Sequence, residues 1–393
     1  MITGQFGESY PPSIDGVGGV MINYCRELNR RGHQSYYIAP QDKKAEAPEG
    51  VETLLYKSIR IPLFTYHFGF PAMQPDFLER LREIPFDIVH AHTPFMAGML
   101  AKKISQEKQI PLIATFHSKY YDDALRTTHS KTLARKVVDR IVAFYNSCDE
   151  VWAVNERTGL VLREYGYRGP IVVMQNGVDI HEQQILGDIS DLSLDPEKPL
   201  LLFVGQQDYK KGTRELIRAA GRLKEEGHDF HLLMVGDGLD RHALEWETAE
   251  RGLEDRVTFT GRISDRSRLM AIYRRADLFV FPSIYDNAPL VVREAALQGT
   301  PSLVVEGSCA AEGIEQGVNG YLCDGSVTGI ARNILAALPS VQTVGEKARL
   351  TIPITWELIG GHIEERYTNL IQKRSVDSAA EAELEAPSGT DYP

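Results

Sequence analysis

The feature that most constrains this chain is an alternation, met twice over, of short apolar runs with longer stretches of helical period. A short apolar run followed by an amphipathic segment and a second run is the pattern of parallel strands joined by crossover helices. Each half is therefore expected to build a doubly wound α/β sheet, helices on both faces. In the first half the strand candidates are Ile2–Phe6, Ser35–Ala39, Asp87–Ala91, Leu112–Phe116, Glu150–Val154 and Ile171–Met174. In the second they are Leu200–Val204, His231–Val235, Arg256–Phe259, Leu278–Phe281 and Ser302–Val305. Between the first two, Val20, Tyr24 and Leu28 share one helical face that ends at Arg31-Gly32-His33, and Thr213–Glu226 reads as a helix in the second half. Around Leu186–Pro199 the periodicity is lost and Asp, Ser and Pro gather, which predicts an interdomain connection. The expected organisation is a first domain over 1–185, a second over 186–355, a helix over 356–373 that returns to the first domain, and an acidic disordered tail over 374–393.

Composition narrows the classes of partner. With 43 Lys plus Arg against 54 Asp plus Glu the chain carries −11, which argues against nucleic acid as the main partner. Cys25, Cys148, Cys309 and Cys323 are far apart and form no CxxC pair, so neither a disulfide framework nor structural zinc is indicated and a reducing compartment is expected. The first residues lack a basic segment followed by an apolar run, and no stretch of about 18 apolar residues occurs, so a cytoplasmic protein that spans nothing is expected. Helix candidate Lys131–Tyr145 sets Lys131, Arg135, Lys136 and Arg140 beside Leu133, Val137, Val138, Ile141 and Val142. That pattern suits peripheral contact with an anionic membrane on its inner face, and equally an ordinary surface helix.

In doubly wound sheets ligands sit beyond the carboxyl ends of the strands, and the motifs here do lie in strand-to-helix loops. Asp15-Gly16-Val17-Gly18-Gly19 opens the first helix, where exposed N–H groups and absent β-carbons admit a phosphate or sugar, although a plain tight turn reads the same way. The spacing is not that of a dinucleotide fingerprint, which disfavours a dehydrogenase. In the second half, Gly205-Gln206-Gln207-Asp208-Tyr209-Lys210-Lys211-Gly212 places Lys211 just before a helix, positioned to meet a diphosphate as a point charge. The Walker pattern fails there, because Lys211 precedes its glycine. In Pro282–Pro301, Asp286 falls in a loop and Glu294 within the helix that begins near Pro289. Two such carboxylates can accept hydroxyl hydrogen bonds from an elongated ligand whose anionic centre faces the helix start, or they are a capping acid and a surface Glu.

The sequence resembles the GT-B glycosyltransferases of family 4, which carry an E-x7-E motif, and does so over almost its whole length. The matching pieces include YPPSIDGVGG, ELNRRGH, DIVHAHTPF, IATFHS, CDEVWAVNE, QNGVD, FVGQQDYKKGT, LMVGDG, RVTFTGRIS, ADLFVFPS, DNAPLVVREA and AAEGIEQGVNGYL. The resemblance implies two Rossmann-like domains facing across a cleft. It further implies a metal-independent transferase that moves a hexose from a nucleotide-diphosphate sugar, UDP-linked or GDP-linked, to a hydroxyl acceptor with retention. No cofactor is implied, and the molecule would be a monomer or homodimer. Residue by residue, Glu294 matches the ribose-binding Glu, Lys211 the donor-phosphate Lys, and Leu290 and Val291 the helix-start amides on the diphosphate. Gly18 and Gly19 match the first-domain loop, His117 a His near the transferred sugar, Arg262 and Ile263 a region along the nucleobase, and Glu312 a Glu near the donor.

Three departures bear on the chemistry. Asp286 stands for the first Glu of E-x7-E and is one methylene shorter. Gln206 stands where relatives have an Arg on the diphosphate, and Pro289, which has no N–H, stands for a Gly. A nucleotide-sugar epimerase, or a protein that binds the nucleotide sugar without turning it over, are the alternatives. The acceptor, which no motif identifies, is expected to be a glycolipid or glycan precursor.

Overall fold

The computed structural model describes residues 1–9, 16–41, 47–60, 67–180, 184 and 186–385. The chain divides into two compact units, Met1–Gln175 with Trp356–Pro393, and Asn176–Thr355. In the first unit the strands are β1 (Ile2–Phe6), β2 (Gln34–Pro40), β3 (Glu52–Tyr56), β4 (Ser58–Arg60), β5 (His67–Gly69), β6 (Ile88–Ala91), β7 (Leu112–Phe116), β8 (Glu150–Ala153) and β9 (Val172–Val173). Seven of them form a parallel sheet in the order β3-β2-β1-β6-β7-β8-β9, and β4 and β5 make a separate antiparallel pair. The second unit holds β10 (Leu200–Val204), β11 (His231–Val235), β12 (Val257–Gly261), β13 (Leu278–Phe281), β14 (Ser302–Val305) and β15 (Tyr321–Cys323), parallel in the order β12-β11-β10-β13-β14-β15. Every residue of β10 is buried, as a central parallel strand covered on both faces requires. Its apolar side chains join those of helix Thr213–Glu225 and of β11, β13 and β14 in the core of this unit.

Each sheet reverses its winding at one point, between β1 and β6 in the first unit and between β10 and β13 in the second. The crevice such a reversal opens beyond the strand ends is where ligands bind in this architecture. Short edge strands β3 and β15, and the β4–β5 pair, go beyond the sequence expectations, because three to five residues at a sheet edge carry too little period to stand out.

Two expected boundaries move. The connection lies about ten residues earlier than 185, because Val178 N donates to Ile354 O at 2.8 Å and Val178 bridges Thr355, which ties the following segment to the second unit. The irregular stretch 186–199 packs there too: Gly187 N donates to Ser267 O, and Arg268 holds Asp191 at 2.7 Å. The part of the expected disordered tail from 374 to 385 instead continues the last helix, Trp356–Glu385, because its Ala- and Glu-rich sequence favours helix, and 386–393 lie outside the described residues. That helix is fixed to the first unit by Glu364 on Arg31 and His33, Arg366 on Glu150, and Tyr367 on His90.

Candidate functional site

The second unit's loops are stitched strand by strand. Gly205 N donates to Val235 O, Gly236 N to Gly261 O and Gln207 N to Asp237 O, each within 3.0 Å, so the segments after β10, β11 and β12 hold a common level. Gly236 makes this possible: it has φ +126, and a Cβ there would lie 1.9 Å from the Gly205 carbonyl oxygen. At the reversal point Gly212, with φ +71, lets the loop after β10 touch the loop after β13, since a Cβ would meet Pro282 O at 2.5 Å.

Those two loops bring Lys211 and Asp286 together. Lys211 Nζ donates to Asp286 Oδ1, and Ser283 Oγ donates to Asp286 Oδ2 at 2.5 Å. Both partners of the ion pair are largely buried, 13% and 18% exposed, so the charges meet in a setting far less screened than the surface. Lys210, the other cation of the loop, lies 4.6 Å from the Tyr285 ring centroid and 3.3 Å from Asp208. Gln206, in the same loop, is uncharged and exposed.

Helix Leu290–Leu297 starts immediately beyond, with Pro289 as its N-cap rather than its first residue. Leu290 and Val291 open the helix, where N–H groups have no acceptor within it and the positive end of the dipole lies. One turn on, Glu294 is buried and both its oxygens are engaged: Arg266 Nη2 donates to Oε1 at 2.9 Å and Tyr273 Oη to Oε2 at 3.1 Å. Neither partner figured in the sequence reading. A signal was present, since Arg266 and Tyr273 lie two turns apart on one face of helix Arg266–Arg275. Arg262 is exposed and Ile263 packs against the core of the unit, in the loop after β12. Glu312 closes a short helical turn, Cys309–Ala311, and its charge opposes the lowering that burial imposes on the Arg293 guanidinium.

In the first unit the strand ends carry histidines. His117 follows β7 and its Nε2 lies 3.1 Å from His92 Nδ1, while His92 stacks on His90 at 4.3 Å between ring centroids. Burial pushes His117 down to about 3, and burial followed by the neighbouring imidazoles holds His90 and His92 well below the usual range, so all three are neutral at pH 7. His117 is thus a neutral hydrogen-bonding group and not a proton acceptor of ordinary basicity. His90, in β6, and His92, just beyond its end, are both wholly buried polar groups that need partners. Gly18 is buried and Gly19 half-buried in helix Gly16–Arg30, with Gly18 against Ser9. Asp15 lies outside the described residues. Glu8, in the loop after β1, accepts at 2.7 Å from Ala97 N, in the first turn of helix Met96–Lys108, and also accepts from the Thr93 hydroxyl.

The Lys131–Tyr145 helix spends most of its apolar side on the fold. Val138 and Ile141 are buried, Val137 and Val142 pack against the core, and Leu133 is left 49% exposed among the exposed Lys131, Arg135, Lys136 and Arg140. Among the described residues no helix is long and apolar enough to cross a membrane, and the four cysteines are free thiols.

Comparison with known proteins matches the two units separately. The family described as glycosyltransferase family 4 matches residues 14–182, and glycosyl transferases group 1 matches 187–348. The chain is 25% identical over 313 residues to an alpha-monoglucosyldiacylglycerol synthase of Streptococcus pneumoniae, covering 77% of this chain and 70% of that one. It is 28% identical over 327 residues to a GDP-mannose-dependent alpha-mannosyltransferase of Corynebacterium glutamicum, covering 81% and 75%. Among solved structures it is similar to sucrose-phosphate synthase from Thermosynechococcus elongatus, with a TM-score of 0.76 at 20% identity over 95% of this chain and 99% of that one. Anabaena HepE in complex with UDP and glucose gives 0.72 at 21% identity, over 94% and 99%.

Proposed function

Because the chain belongs to the GT-B glycosyltransferases, with a family 4 first domain and a group 1 second domain, we propose that it moves a hexose from a nucleotide-diphosphate sugar to a hydroxyl acceptor with retention of configuration. A UDP-sugar is the favoured donor, and a glycolipid or glycan precursor the acceptor. The observation that carries the reading is the meeting of Lys211 and Asp286 where β10 and β13 part, one loop from the start of helix Leu290–Leu297 and from Glu294.

The chemistry follows from charge. Breaking the bond between the anomeric carbon and the diphosphate oxygen builds negative charge on the leaving group and positive charge on the sugar. Lys211 and the amides of Leu290 and Val291 receive the diphosphate, so the charge is met by the protein without a metal ion. Phosphate takes Lys211 from Asp286, and the released carboxylate turns to a sugar hydroxyl. Glu294 accepts from the ribose hydroxyls, with Arg262 and Ile263 along the base and Glu312 near the donor. The acceptor oxygen attacks from the face the diphosphate leaves, and its proton passes to a phosphate oxygen.

Nucleotide release from UDP-, GDP- and ADP-sugars, with and without EDTA, tests this. Release from one donor, unaffected by EDTA and abolished in Glu294→Ala and Lys211→Ala, is expected. Binding of the nucleotide sugar with no turnover in the presence of lipid and glycan extracts would instead identify a binding protein.

A further inference from the structure

Among the described residues the Asp286 carboxylate has two side-chain partners, one on each oxygen and of different kinds. Lys211 Nζ donates to Oδ1, and Ser283 Oγ donates to Oδ2 at 2.5 Å. Lys211 carries a charge on a long flexible stem, whereas Ser283 is short, neutral and only 1% exposed, two residues beyond the end of β13. Its place is fixed from both sides. The preceding residue, Pro282, is closely approached by Gly212, where a Cβ would lie 2.5 Å from the Pro282 carbonyl oxygen. The Ser283 hydroxyl itself accepts from Tyr285 N at 3.3 Å, so its oxygen is held by a local turn while its single proton goes to Asp286. It makes no other side-chain hydrogen bond among the described residues.

A ligand acts on these two partners differently. A diphosphate offers Lys211 an anion in exchange for the carboxylate, but it offers Ser283 nothing that the hydroxyl does not already have. When Lys211 leaves, Ser283 stays, and Asp286 keeps one hydrogen bond where it would otherwise have none. A largely buried carboxylate without a partner is costly, so parting the ion pair takes less free energy with the hydroxyl present than without it. The same bond pins Oδ2, which makes Oδ1 the oxygen that comes free.

We propose that Ser283 is a positioning residue: by holding Asp286 through Oδ2 it weakens the grip of Asp286 on Lys211, so that the donor's phosphates can capture Lys211 and Oδ1 is the oxygen released toward the sugar. The identity of the ligand rests on the transferase reading. The competition of Ser283 and Lys211 for one carboxylate does not, because both bonds are present in the free protein.

The test is a double-change cycle on the full chain, read by calorimetric titration with UDP and with GDP. Ser283→Ala, which removes only the hydroxyl, is expected to weaken nucleotide binding roughly three- to thirtyfold, whereas the same change made on Asp286→Asn, where no carboxylate holds Lys211, should alter it by less than about twofold. A serine with a merely structural role would cost the same in both backgrounds, and that result overturns the proposal. A second readout needs no nucleotide: acetylation of the folded chain with acetic anhydride, followed by mass spectrometry of the peptide that carries Lys211. Lys211 should react several-fold more slowly in Ser283→Ala than in wild type, because the ion pair tightens, and faster in Asp286→Asn. Equal rates in wild type and Ser283→Ala overturn the proposal even for a chain that binds neither nucleotide. The expected order of acetylation in a chain that binds neither would fail the transferase reading and support the competition for Asp286.

Discussion

The two units bring their strand-end residues to function by opposite means. In the second, the groups are charged and paired, Lys211 with Asp286 and Arg266 with Glu294, and each pair keeps some exposure. In the first, the groups are neutral and buried: His90 and His92 are held by Gln5, Thr115 and Tyr367, and His117 meets His92. An ion pair can be taken apart by a ligand of matching charge, because what it loses in one partner it regains in another. A buried neutral chain has no such exchange and instead fixes direction, each donor committed to one acceptor. The difference separates the units physically: the second gathers charge that a ligand can exchange, and the first holds neutral groups in fixed directions.

The largest effect should come from removing the charge itself. Lys211→Ala is expected to lower kcat/KM by roughly 10²- to 10³-fold, about 3 to 4 kcal/mol, because the leaving group then meets only helix-start amides. It should also strand the Asp286 carboxylate, so the double change Lys211→Ala with Asp286→Asn should bind nucleotide more tightly than Lys211→Ala alone. Calorimetric titration with the nucleoside diphosphate reads this, and equal affinities would break the comparison by showing that the pair carries no exchangeable charge. Next in size is Gly236→Ala, which forces a Cβ onto the Gly205 carbonyl at a left-handed φ. It should cost about 3 kcal/mol or more in a urea melt, with the loops after β10 and β11 losing their common level.

These contrasts also explain what could be read from sequence. Lys211 and the Asp286–Glu294 stretch lie in two contiguous segments, each between a strand and a helix, so spacing alone places them at the same sheet edge. The neutral chain is assembled from Gln5, His90, His92, Thr115, His117 and Tyr367, drawn from three strands, the loops that follow them and the final helix. No local pattern links such residues, and only the strand order β1-β6-β7 makes them neighbours. The parallel sheets were legible because strands buried on both faces are near-continuous apolar runs, whereas the edge strands β3 and β15, part-buried, were not. The stretch 374–385 differs from expectation for a simpler reason: composition unable to build a core can still be good at forming helix.

Acid should separate the units. The three histidines have folded pKa values below the unfolded value of about 6.5, so the unfolded chain binds more protons and stability falls as pH drops below that value. Full stability is present above about pH 6.5, and each histidine can cost up to about 1.4 kcal/mol per pH unit below it, toward about 3 for His117. Urea melts between pH 7 and 5 should show a steeper loss for wild type than for His92→Asn, which removes one of the three titrating groups. Parallel slopes would mean that the enclosed chain is hydrated and that the contrast with the second unit is smaller than its burial indicates.

The smallest expected effect is the most discriminating for Glu294. Arg266, its side chain 46% exposed, forms a pair with Glu294 of the kind that contributes only about 0.2 to 1 kcal/mol, so Arg266→Ala should barely change the melting temperature. Its effect on donor binding has a definite sign. A ribose hydroxyl must displace the guanidinium from Glu294 Oε1, and removing Arg266 takes away that competition, so donor KM should fall or hold within about threefold while kcat is unchanged. Tyr273→Phe acts on the other oxygen, from a buried position, and should raise KM by loosening the carboxylate that the ribose meets. If Arg266→Ala raised donor KM tenfold instead, the arginine would itself be a donor ligand, and the second unit would use the pair as a fixed clamp rather than as a charge to be exchanged.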